Sequence, residues 1–556
     1  MIKKKMGKAE ILKQNRFIHI KKEYLAKTCE SLVVNKMKTP IFEQSTIYQI
    51  GGQARHSLEE HLFSIKSLIG LMEYLGEGVI LNLVDIVSFF EREDILDVME
   101  TISSMNIKKK AYRLWYKLNE KTEIQVKTAV GMSEIAMVGA LVGQGSAGES
   151  VASQAMVGIG LEEYFSGSKD EMYYGRIRVE SAAFQDDICK PSSNTISAQI
   201  SMTRLATMLQ ERGLDAHEEK TGYIIFGSSK YKKQVKQDLE EMPLFFGSFQ
   251  VEEKIQDKYL GQILHQDGLA KSVEATIIER TGKIKGAIYL TKQVIETVQM
   301  QMVGGMMAAK QLWEQAIVPS LLHGASTWVG ITSEAEEMCE DLQELFWRVM
   351  MQVPRSTPKV MLTAETHSMK MKQRIWKQKL VFASSLKQKE GSLASSIYEE
   401  QKFMGWPGLA TEVEYICKQV GLESINESDI KKEEIDDKIY YQNYKEMKDK
   451  MERYDKLEDV KNDDFRTVQS YMEIKSIDRV RMAFRLRCKM VKEIKMNMKN
   501  MHKDLTCNKC NLRSPETQGH VMICSGWEEE RRGLDLNHLE DMIEFFVRIL
   551  KEKERK

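Results

Sequence analysis

The sequence predicts an α+β fold that gives way to an all-helical region and closes on a small metal-binding segment. Three observations predict it. Up to about residue 290, helical and strand-like patterns alternate, as expected for helices packed on one face of a sheet. Two apolar strand-like runs, 79–86 and 178–187, end in carboxylates: Asp85 in the first, Asp186 and Asp187 in the second. From about 270 to 390 the pattern is nearly all helix, and four of the eight cysteines fall in the last 70 residues.

The elements follow in order. Residues 56–75 place apolar side chains at helical spacing, and Gly76 and Gly78 end that helix. Residues 79–86 then read as a buried strand and 94–105 as an amphipathic helix. A second strand runs through 178–187, a helix through 196–213 and a third strand through 221–228, and 246–265 reads as a hairpin. In the helical region Pro319 and Pro354 punctuate. The charged stretch 420–465 reads as a solvated helix or linker, and 475–503 as a basic helix.

With 556 residues the chain exceeds one core, so two or three domains are expected. Its 81 basic and 81 acidic residues balance, which excludes a globally basic nucleic-acid binder and requires any such surface to come from local segregation of charge. Scattered cysteines suit a reducing compartment. No apolar leader follows the first residues and no run approaches 18 apolar residues. The expectation is an intracellular protein, of the nucleus or cytoplasm, without a membrane partner.

Aspartate pairs are weak signals alone. Asp436-Asp437 and Asp463-Asp464 have charged neighbours and read as surface, whereas Asp186-Asp187 has apolar flanks. Burying carboxylates beside core strands costs several kcal/mol unless a cation takes up the charge. Carboxylates on neighbouring strand tips suit two divalent metals roughly 3.5–4 Å apart, the arrangement used for in-line phosphoryl transfer. Phe90, five residues past Asp85, could return to the same pocket and sense a sugar, although Phe89 and Phe90 also fit a core. The small-residue stretch around Gln144 and Gly145 could approach a nucleic acid, or simply lead into a helix capped by Ser146. Lys220, just before a strand, could donate a proton to a leaving group, or be a solvated edge residue.

Cys507, Cys510, His520 and Cys524 form a C-x2-C-x9-H-x3-C spacing that predicts one tetrahedral, structural Zn²⁺. The preceding helix carries Lys475, Arg479, Arg481, Arg485, Arg487, Lys489, Lys492, Lys495, Lys499 and Lys503, a stripe suited to phosphate contacts or to packing on an acidic surface.

Taken in order, these motifs resemble the reverse transcriptase of non-LTR (LINE-type) retrotransposons. Gln49-Ile50-Gly51-Gly52-Gln53 with Arg55, His56 and Glu60-His61-Leu62 is similar to that family's glutamine-glycine segment. Asp85 with Phe90 resembles its first catalytic motif and sugar gate. Gly143-Gln144-Gly145 resembles its template–primer glycines, and Phe184-Gln185-Asp186-Asp187 its aromatic-x-Asp-Asp signature. Lys220-Thr221-Gly222 resembles the next motif, Tyr259-Leu260-Gly261 the primer grip, and the cysteine/histidine cluster the closing zinc knuckle.

The resemblance implies a right-hand polymerase with fingers and palm over 1–265, a helical thumb and extension over 266–395, a charged helical linker over 396–474, and a basic helix plus zinc-knuckle-like module over 475–556. It implies an RNA-directed DNA polymerase that extends a primer 3′-hydroxyl with deoxynucleoside triphosphates, on an RNA template and DNA primer. Asp85 and Asp186 would hold two Mg²⁺, with Asp187 supporting them. Arg16 and Lys220 would contact the triphosphate, and Gln144, Gly145, Tyr259 and Gly261 the template–primer. The family's leading endonuclease domain has no counterpart ahead of Arg16. The expectation is therefore a truncated copy, and the alternative is a catalytically decayed nucleic-acid-binding remnant of the same polyprotein.

Overall fold

A computed structural model of the chain describes residues 2–3, 15–16, 24–44, 49–53, 56–87, 89, 95–103, 107, 109–120, 122–124, 127–128, 131–132, 134–138, 147–166, 171–179, 182–297, 305–389, 391–425, 430–491, 506–510, 512 and 514–554. Helix and sheet are mixed, with helix predominating. The chain forms two compact units. One comprises Met1–Ala275, Ser326–Gly330 and Phe382–Glu414; the other comprises Thr276–Ala325, Ile331–Val381 and Tyr415–Lys556. No described helix is long and apolar enough to cross a membrane.

The first unit is organised by a five-stranded sheet. Its central strand, Gly78–Asp85, is buried along its whole length until Asp85. Strand Asp187–Ser192 pairs antiparallel on one side of it and Gly222–Gly227 antiparallel on the other. Ala182–Phe184 extends the sheet beyond Asp187–Ser192, and Glu252–Glu253 lies parallel outside Gly222–Gly227. The apolar runs legible in the sequence become these strands because both sheet faces are covered. Helix Leu58–Tyr74 buries Leu62, Phe63, Ile65, Leu68, Ile69 and Leu71, and Glu60 closes its first turn by accepting the Ser57 amide at 2.9 Å. Helix Thr195–Glu211 contributes Ala198, Met202, Leu205, Met208 and Leu209 to the core.

One strand expectation needs correction. Residues 178–187 are not one strand ending in carboxylates. Ile177–Val179 belongs to a separate small hairpin, and Ala182–Phe184 turns at Gln185-Asp186 into Asp187–Ser192. The turn lacks glycine, which is why it does not read as one: Gln185 itself adopts the left-handed backbone, with φ +61°.

The second unit is helical among its described residues. Trp313 stacks on Phe346 at 4.5 Å, and Trp347 meets Phe346 edge-on at 4.9 Å. Helix Lys432–Met451, in the stretch that reads as solvated or linking, is packed. It buries Ile435, Ile439, Asn443, Met447 and Met451, one every four residues. Asn443 Oδ1 accepts the Lys370 amide at 3.1 Å, and Lys370 and Lys377 pair with Glu446 and Asp436.

Candidate functional site

The carboxylates gather where the buried strands of the first unit end. Asp187 is the direct cross-strand partner of Asp85. Residues opposed in an antiparallel pair project to the same face, with Cβ atoms about 4.5–5.5 Å apart, and two like charges so placed repel. Asp186 stands beside them on the turn. The Asp85 carboxylate is met by a cation from the other side, since Lys220 Nζ lies 2.7 Å from its Oδ2. Backbone contacts fix that lysine. His217 N–H donates to the Asp85 carbonyl at 2.7 Å and Val87 N–H to the Asp215 carbonyl at 2.8 Å, which ties 215–217 to the strand end. Lys220 and Thr221 then turn back on the His217 carbonyl, and the chain enters Gly222–Gly227.

The donor set here is carboxylate oxygen, which suits a hard divalent cation such as Mg²⁺. Such an ion would take over the charge that Lys220 now balances on Asp85. Among the described residues, one group of three or more metal-ligating side chains has its ligand atoms within 4.8 Å of one another, and that group is the cysteine/histidine cluster rather than the aspartates.

Behind the turn sits a histidine whose role the sequence does not announce. His61, 3% exposed, meets the ring of Phe184 edge-on at 6.3 Å, and its Nε2 lies 2.8 Å from the Tyr259 hydroxyl. Burial pushes the imidazole down to about 3, so it stays neutral. Burial also holds the Tyr259 phenol well above its ordinary range. Tyr259 thus faces the interior, at the end of a hairpin turned by Leu260 (φ +47°) and Gly261 (φ +78°). Phe89 is a core residue. Phe90, Gln144 and Gly145 lie outside the described residues, as does the side chain of Arg16, whose backbone pairs with Ile2 where strand Asn15–Arg16 meets Ile2–Lys3.

The C-terminal cluster has the dimensions of a metal site. Cys507 Sγ and Cys524 Sγ are 3.8 Å apart, and Cys510 Sγ and His520 Nε2 3.5 Å. A tetrahedral Zn²⁺ with bonds of about 2.3 Å to sulfur and 2.0–2.1 Å to nitrogen requires ligand separations of about 3.8 and 3.5 Å. The Leu512 amide holds the Cys510 thiol below its ordinary range. Burial pushes the Cys524 thiol up to about 11, against the opposing Gly526 amide. Gly526 is obligatory, since a Cβ there would fall 2.1 Å from the Lys509 carbonyl oxygen. Lys509 lies 4.2 Å over the fully buried Trp527 ring and pairs with Glu552, while Lys553 pairs with Glu516, so helix Leu539–Glu554 is strapped to the cluster.

The basic stripe is largely consumed inside the second unit. Its described helix spans Ile477–Arg487 rather than continuing to 503. Arg481 donates to the Met350 carbonyl and pairs with Glu296, and Arg485 donates to the Gln352 carbonyl. Arg487 pairs with the buried Glu365 and with Asp463, and Arg479 pairs with Glu544. Of the two readings, packing on acidic surface accounts for these arginines; Lys492, Lys495, Lys499 and Lys503 lie outside the described residues.

No family model and no curated protein matches the chain. Among solved structures it is similar to telomerase from Candida albicans in complex with a fragment of telomeric RNA, at 12% identity and a TM-score of 0.33, over 71% of this chain and 57% of that one. It is also similar to apo telomerase from Candida tropicalis, at 13% identity and 0.31, over 75% and 60%. A C-terminally truncated form of the Candida tropicalis enzyme matches at 12% and 0.28, over 44% and 43%. The chain spans less than two thirds of the length of these structures. Likeness this slight carries no assignment.

Proposed function

We propose that the chain is an RNA-directed DNA polymerase of the non-LTR retrotransposon type, with its catalytic centre at Asp85, Asp186 and Asp187. The observation that carries the reading is the register that sets Asp187 opposite Asp85 at the end of a buried strand, with Asp186 on the adjoining turn. Two carboxylates facing each other there need a cation, and the aspartate pairs elsewhere in the chain have no such strand context.

In this reading the three aspartates hold two Mg²⁺. When bound, the metals supply a lowered pKa at the primer 3′-hydroxyl and offset charge on the phosphoryl oxygens. The protein's own contribution is orientation. The sheet fixes Asp85 and Asp187 across one strand pair, and the 215–221 segment delivers the Lys220 ammonium to the same edge. From there Lys220 is placed to protonate or neutralise leaving pyrophosphate. Arg16 serves the triphosphate, Phe90 the sugar, and Gln144, Gly145 and Gly261 the template–primer path, while Tyr259, its side chain buried against His61, supports the Leu260-Gly261 turn from inside. Residues 1–265 act as fingers and palm, and Cys507, Cys510, His520 and Cys524 hold a structural Zn²⁺.

The test is Mg²⁺-dependent extension of a DNA primer on an RNA template, comparing the parent with Asp186→Asn. Loss of extension on substitution is expected. Extension that survives it would remove the proposed metal role. A folded parent that binds RNA but extends nothing would be the decayed remnant.

A further inference from the structure

We infer that Gln49 is a positioning residue whose buried side-chain amide clamps the backbone of Gln185 and so sets the placement of Asp186 and Asp187. The inference rests on the polymerase reading and adds to it a residue that touches neither metal nor substrate.

Gln49 is fully buried. Its Nε2 donates to the Gln185 carbonyl at 3.1 Å, and its Oε1 accepts the Gln185 N–H at 3.1 Å. One side chain therefore reads both polar groups of one peptide residue, as a neighbouring strand would. The bridge between Gln49 and Ala183 brings the two segments alongside each other. Gln185 is the residue that needs such support. It sits at φ +61° without being glycine, and it immediately precedes Asp186. A disfavoured backbone conformation persists only where its surroundings over-determine it.

The clamp is itself held. Gly51 N–H donates to Gln49 Oε1 at 3.1 Å. Gln154 Nε2 donates to the Gln49 carbonyl and the Gly51 carbonyl, both at 2.9 Å, and Gln53 Nε2 donates to the Gln49 carbonyl at 2.7 Å. Gln154 is fully buried and is the first residue of a π-helical turn, Gln154–Gly158, within the helical run from Glu149 to Phe165. Such turns often mark functional sites. Gly51 has no room for a side chain, since a Cβ would lie 2.6 Å from the Gln185 nitrogen. Glutamine suits the position because it both donates and accepts. Asparagine is shorter, and an ionised glutamate only accepts.

The experiment measures Mn²⁺ binding by electron paramagnetic resonance, RNA affinity and steady-state extension for the full chain and its Gln49→Met, Gln49→Asn and Asp85→Asn variants. Gln49→Met is expected to bind Mn²⁺ roughly 10–100-fold more weakly, the range for residues that orient metal ligands, and to lose kcat while RNA affinity holds. Gln49→Asn keeps donor and acceptor on a side chain one methylene shorter, so it should fall between parent and Gln49→Met, and it decides the matter if Gln49→Met does not fold. Parent-like Mn²⁺ affinity and kcat in a folded Gln49 variant would overturn the clamp. If Asp85→Asn leaves Mn²⁺ binding unchanged, the metal-site reading falls first and takes the clamp with it.

Discussion

His61 offers a test that needs no activity. Its imidazole is buried and neutral, lowered to about 3 from an ordinary 6.5 by burial alone, with the Tyr259 hydroxyl 2.8 Å from Nε2. Above the ordinary value the ring is neutral in both folded and unfolded chains, and pH has no hold on it. Below that value the unfolded chain binds a proton that the folded chain refuses, so stability falls as pH falls. The loss continues until the folded-state value is reached. The slope approaches about 1.4 kcal/mol per pH unit, which makes about 2.7 kcal/mol two units below the ordinary value. Urea unfolding of the first unit should be followed for the parent and His61→Gln from neutral pH down to about two units below 6.5. Other acid-sensitive pairs, such as Glu60 with His56 and Lys389, are common to both proteins, so the difference between the two curves isolates one titration. The parent should lose stability more steeply than His61→Gln over that window. Parallel curves would mean that His61 is solvated or paired with charge when folded, and the argument for a dry contact behind the Asp186 turn would fail.

Gly51→Ala should push the Gln185 nitrogen about 0.8 Å to restore van der Waals contact, and a shift of that order at a catalytic turn can cost roughly 100-fold in kcat. Gly282→Ala, on helix Leu269–Thr297 with open space around it, should instead be neutral or stabilising by about 0.5–1 kcal/mol, as read by thermal unfolding. A Gly51→Ala protein with parental kcat would contradict the close approach. Metal analysis should find one Zn²⁺ per chain, and Cys510→Ser should abolish it. Because Trp527 is fully buried under Lys509 beside the cluster, chelation should red-shift tryptophan emission. An unchanged spectrum on complete zinc removal would refute the strapped arrangement.

What the sequence made legible was local. Asp85 stood out because an apolar run stops at it, and the four zinc ligands because all lie within one short segment. The Asp186 hairpin was obscured because its left-handed residue is a glutamine rather than glycine or asparagine, and because Gln49, which supports it, comes from 136 positions away. The stripe of Arg481, Arg485 and Arg487 left phosphate contact and packing on an acidic surface both open, because partners such as Glu296 and Glu365 are remote in sequence. Helix Lys432–Met451 was legible in principle. Its buried positions recur every four residues, but charge at most of the positions between them masked them. His61 enters the sequence reading only within the Glu60-His61-Leu62 run of the resemblance, and its packing gives no signal, since a histidine on an apolar helix face looks the same whether it is packed or functional.

The interleaving of the two units has a consequence for synthesis. The first unit's opening segment ends at Ala275, yet its last segment ends only at Glu414. Residues from that late segment complete it: Lys389 pairs with Glu60, Glu400 chelates Arg176, and Gln401 donates to Ser67. At translation rates of about 5–20 residues per second, the nascent sheet waits roughly 6–25 s for the last of those partners to be made. Throughout that interval the ribosome carries an unfinished core. Chaperone demand should therefore peak midway through translation, and a stop codon placed near Ala275 would release a fragment lacking pieces of its own interior.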